Sequence, residues 1–149
     1  MTSWQDYLKL LRSLTKTIHE LAQVERDKND AASAGDLHAV EECMKREQVL
    51  SLSLRGHDQK RERMLTELGL KGVNLRGLEA HSPAELRLET KAVVETLRQE
   101  YEMFQTASKA ARNTLEVNLR AIERMQAVQA GDRVQAEEQR KIHQTDFRA

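Results

Sequence analysis

Pro83 is the only proline of the chain, and no glycine lies between it and Gly131. Proline and glycine are the residues that break helices most readily, so nothing in that stretch obliges a helix to stop. At 1.5 Å per residue it runs for about 70 Å. Two earlier helical stretches, over about residues 3–34 and 36–68, each reach only about 50 Å. Three rods of unequal length, packed side by side, leave the end of the longest without an intrachain partner. An apolar stripe on that end is free to meet another protein.

The first helix opens with Ser3 as N-cap and Asp6 at N3, a capping-box arrangement. Its seam reads Trp4, Tyr7, Leu11, Leu14, Ile18 and Leu21 in coiled-coil steps of three and four, then turns polar at Glu25 and Lys28. Gly35-Asp36 supplies a left-handed stop followed at once by a new N-cap. So short a turn sends the second helix back antiparallel, with Leu37, Val40, Met44, Leu50, Leu54, Met64, Leu65 and Leu68 as its apolar positions. Symmetry about the turn places Glu25 opposite Lys45 or Arg46, Tyr7 opposite Arg63, Leu14 near Gly56 and Ile18 near Leu52. Burying a carboxylate alone costs several kcal/mol, so Glu25 and its cation read as a register-setting pair. Gly56 costs about 1 kcal/mol relative to Ala inside a helix, and marks either a close approach to Leu14 or a kink.

Residues 69–82 form a connector rich in Gly and Leu, too apolar for a flexible linker, that folds over the bundle end. Ser82 as N-cap, Pro83 at N1 and Glu85 at N3 start the last helix, over 83–129. Its seam runs through Leu86, Val93 or Val94, Leu97, Tyr101, Phe104, Ser108, Ala111, Leu115, Asn118, Ile122 and Met125. It lies parallel to the first helix and passes the hairpin tip near Leu115, so that residues 116–129 project with Val117, Leu119, Ile122, Met125 and Val128. The fold class is all-α, an elongated three-helix antiparallel coiled-coil-like bundle with a long projecting third helix. Residues 1–130 make one domain, and 131–149 read as a charged, flexible tail.

The chemistry of the side chains points away from catalysis. Lys and Arg number 24, as do Asp and Glu, so no global field draws nucleic acid or an anionic membrane. No run approaches the 18 or so apolar residues of a membrane span, and the N-terminus lacks a signal-peptide pattern, which points to the cytoplasm. Cys43 is the one cysteine, so neither a disulfide nor a CxxC site is available. A di-iron bundle needs Glu-x-x-His motifs projecting inward, and the five histidines offer none. Gly69, Gly72 and Gly77 lack the Lys-Ser/Thr step of a phosphate loop. No catalytic residue, cofactor or metal ligand is assigned. The residues describe a helical interaction module.

The order of these features resembles bacterial flagellar export chaperones of the FlgN type. The likeness covers most of residues 3–129. It is carried by the leucine-rich first helix ending near Glu25, the Gly35-Asp36-Leu37 turn, Lys45 with Gln48 and Leu50, the run from Arg61 to Leu68-Gly69, and Asn113, Asn118, Leu119 and Ile122 in the long final helix. The resemblance implies a cytoplasmic type III export chaperone that binds hook-filament junction proteins, through their C-terminal helical segments, on its own last helix. By position the contact residues are Asn113, Leu115, Asn118, Leu119, Ile122 and Met125. Asn113 and Asn118 depart from a single-face reading, because five residues separate them. The alternative is a structural coiled-coil adaptor or stalk component that pairs with export-apparatus components or with itself. Asn118 on the seam equally suits register-fixing in a homodimer.

Overall fold

The structure, a computed structural model, describes residues 2–129, with side-chain surroundings followed through Ala121 and at Arg124. Among the described residues there are four helices and no strand: α1 (Trp4–Ser33), α2 (Leu37–Glu67), a short α3 (Leu75–His81) and α4 (Arg87–Gln129), the last preceded by a single 3-10 turn, Ala84–Leu86. The all-α fold with three long rods is as expected. The start and stop signals of α1 and the start signal of α2 act as they read. Ser3 Oγ accepts from the Asp6 N–H at 3.1 Å while Asp6 accepts from the Ser3 N–H at 3.2 Å. Gly35 takes φ +71°, and Asp36 then caps α2 by accepting from the Ala39 N–H at 3.0 Å.

α1 is the spine. It packs against both α2 and α4, whereas the backbones of those two stay more than 8 Å apart, Cα to Cα. A helix gripped from two sides must be apolar over a broad arc, and α1 meets this by flanking its seam with Leu8, Leu10, Ala22 and Val24, all buried. α4 runs parallel to it. Trp4 Nε1 donates to Thr90 Oγ1 at 2.9 Å near one end, His19 meets Glu100 at 3.0 Å midway, and Asn118 reaches the Ala32 carbonyl near the other.

The seams of the outer helices follow the sequence reading over most of their length, with Tyr101 turned out on α4 and the first half of α2 rotated by one residue, so that Cys43 rather than Met44 faces in. On α4 the buried line is Val93, Leu97, Ala107 and Ala111, and Tyr101 stands 48% exposed. Two alanines facing α1 let the backbones approach closely, which turns the larger Tyr101 out to the flank. On α2 the buried residues are Val40, Cys43, Met64 and Leu65, while Leu37, Met44 and Leu52 are exposed. Steps of three and four from Val40 and Cys43 lead through Glu47, Leu50, Leu54, His57 and Arg61, all half-buried, to Met64. Polar groups therefore occupy seam positions in the middle of α2.

The open end of the molecule is sealed by the segment read as a connector. It forms α3, whose Leu78 is almost fully buried among Tyr7, Leu8, Leu65 and Leu97, with Leu70 and Leu75 packed against the same cluster. That short helix claims Ser82. Its hydroxyl donates to the Glu79 carbonyl at 2.6 Å at the end of α3, so Ser82 does not cap the last helix, which starts instead through the 3-10 turn after Pro83. A Cβ built on Gly56 meets nothing within 4 Å, which removes the close approach to Leu14.

Candidate functional site

The end of α4 outruns the hairpin because α1 and α4 start level but stop at different residues. Asn118 is level with Ala32, close to the C-terminus of α1, and α4 continues to Gln129. That remainder is about 16 Å of helix at 1.5 Å per residue. The sequence placed the crossing point near Leu115; the structure moves it on by less than a turn.

The residues expected at this end separate into groups. Leu115 and Leu119 are half-buried and four apart, on one face. Asn113 is exposed. Asn118 is engaged within the chain, its carboxamide donating to the Ala32 carbonyl, which also accepts from the Gly35 N–H at 3.1 Å. The two asparagines stand about 140° apart around the helix and share no face. Ile122 continues the Leu115–Leu119 stripe by helical spacing, with Met125 three residues further on; the side-chain surroundings of both lie outside the described residues, as do those of Val128. The segment 131–149 lies outside them altogether.

Just inside the tip, α1 and α2 enclose a compact charged group. Lys28 Nζ lies 3.0 Å from Glu25 on its own helix and 2.5 Å from Glu47 on α2. Burial pushes the Glu25 carboxyl up to about 7, reinforced by a hydrogen bond with Glu47 and opposed by Lys28. Burial pushes Glu47 the same way, but hydrogen bonds from Glu25 and Lys28 outweigh it and hold Glu47 below its ordinary range. One ammonium thus serves two carboxylates, and the proton belongs to the more buried one. The expected partners of Glu25 are elsewhere: Arg46 pairs with Asp27 at 3.2 Å and Lys45 with Glu42 at 3.3 Å. The rotated α2 seam brings Glu47 inward in their place.

Reasoning from the sequence missed a second surface. Because α2 and α4 do not meet, a groove of about 740 Å³ runs between them, floored by Leu14 and Ile18 of α1. The signal for it was present in the polar residues His57 and Arg61 at seam spacing on α2. Among the described residues no three His, Cys, Asp or Glu side chains stand together as a metal site, and no helix is long and apolar enough to cross a membrane. No curated protein and no solved structure matches the chain. The sequence model of the family described as FlgN protein matches residues 1–131.

Proposed function

The chain belongs to the FlgN family of flagellar export chaperones, and from that premise we propose that it binds hook-filament junction proteins in the cytoplasm through the projecting end of α4. The observation that carries this reading is the length of α4 beyond Asn118, which stands level with Ala32 in the last turn of α1, so that the helix from Leu119 onward continues past the end of the spine. An amphipathic helix at the C-terminus of a client lays its apolar face against that stripe, in the helix-in-groove mode of recognition. The client is thereby kept from assembling early and is released at the export apparatus. The work is binding without turnover.

The purified chain mixed with the C-terminal segment of a hook-filament junction protein should give a stoichiometric soluble complex. Leu119→Asp and Ile122→Asp should each weaken it by about thirtyfold or more, as loss of a binding hot spot does, with helicity and melting nearly unchanged. A large fall in melting temperature would assign these leucine and isoleucine side chains to the core instead.

One observation favours a second reading, a structural adaptor. Gln99, Met103, Thr106, Ala110, Asn113 and Val117 are exposed on α4 in steps of three and four, and none is charged. That is a coiled-coil spacing in search of another helix. Self-association that rises with concentration, without client binding, is its signature.

A further inference from the structure

The groove between α2 and α4 makes chemical demands on whatever fills it. Leu54 and Leu65 of α2, Val94 and Tyr101 of α4, and the α1 floor line it for about 16 Å along α4, or about three turns. Apart from Gly72, Val73 and Asn74 at one edge, those walls are helical, so their backbone N–H and C=O groups are already spent on their own helices. An extended peptide placed there would bury amides without partners. A helix brings its own hydrogen bonds and needs only an apolar face.

Charge narrows the occupant further. Arg61 lines the groove with three-quarters of its side chain buried, and its Nε has no hydrogen-bond partner. The nearest carboxylate, Asp58, stands 3.7 Å away. Across the groove, Arg98 is already held by Glu95 and Glu102, both at 2.6 Å. The lining sets Asp58, Glu62 and Glu102 against Arg61, Arg76 and Arg98 and so carries no net charge, but the Arg61 Nε is buried there without a hydrogen-bond partner, and a carboxylate is the group that answers it best. The α4 wall is also continuous with the projecting end, since Val94, Tyr101, Ser108 and Leu115 recur every seven residues on one flank.

We infer that the groove is a second docking surface for the same client, occupied by an amphipathic client helix that carries an Asp or Glu beside its apolar stripe and pairs it with Arg61. This rests on the chaperone reading above and extends the contact from the tip of α4 back along the body of the molecule.

The test uses the full chain and the C-terminal segment of a hook-filament junction protein. Amide exchange in the complex should slow over residues 54–65 of α2 as well as at the α4 tip. Tyr101→Asp, at an exposed position, and Arg61→Gln should each weaken binding by about tenfold or more, and Arg61→Gln should flatten the salt dependence of the affinity. Full affinity in both variants, with Leu119→Asp still abolishing binding, removes the groove and leaves the tip as the site. No binding by the unaltered chain removes both. A dimer of the free chain that Tyr101→Asp dissociates gives the groove to a second copy and overturns the inference. The exchange measurement needs no variant, so it decides the matter even if a substitution unfolds the chain.

Discussion

At the scale of single residues, the buried carboxylate pair gives the clearest prediction. A carboxyl whose folded pKa is raised adds stability that is complete below its ordinary pKa, near 4.5, and is lost as pH climbs through about 7. Glu47, held below the ordinary range, acts with the opposite sign and loses its contribution as pH falls below about 4.5. Stability should therefore peak between these ranges and decline toward pH 8. Glu25→Gln fixes the uncharged form, and urea denaturation at pH 5 and pH 8 should show the decline reduced by about 1 kcal/mol or more. An unchanged slope would mean that Glu25 is charged throughout. The sequence suggested the reverse, a carboxylate needing a cation from α2. Glu25 was legible as a seam residue, but its partner depended on which of Lys45, Arg46 or Glu47 points inward, and that follows from helix rotation rather than spacing in α1.

At the scale of elements, signals confined to a few neighbouring residues were readable and those set by packing were not. The Ser3–Asp6 box and the Gly35-Asp36 turn are local, and both formed. The α1 seam was legible because its apolar steps admit one face. On α4 the expected seam through Tyr101, Ser108 and Ala111 competes with one through Ala107, and close approach to α1 buries Ala107 with Ala111 and turns Tyr101 out. Cys43 displaced Met44 on α2 for a similar reason of rotation. Ser82 looked like the cap of α4 because the glycine-rich connector is too short and interrupted to announce α3, which forms and takes its hydroxyl. Gly56, exposed within an unbroken α2 and free of any neighbour, has no packing role to defend it. Gly56→Ala should stabilise the chain by about 1 kcal/mol, read as a higher denaturation midpoint. A loss of stability would show that the glycine serves a bend.

At the scale of the whole molecule, the inequality of the rods was legible from the placement of one proline and the scarcity of glycine. The candidate tip followed from it, but the groove did not, because no property of a single helix reveals that two others fail to meet. A chain ended after Ala121 keeps the Asn118–Ala32 bond and every helix pairing described above. It should melt within a few degrees of the intact protein and should lose binding to the junction-protein segment. A collapse in melting would mean that the residues beyond stabilise the bundle. The central position of α1 has a separate energetic meaning. Away from the groove and from the cluster that holds Leu65 and Leu97, the outer helices share no packing, and each is bonded to the spine on its own account. Substitutions in α2 and α4 outside that shared cluster and groove should therefore combine by simple addition, while either one paired with a change in the α1 residue it packs on should not.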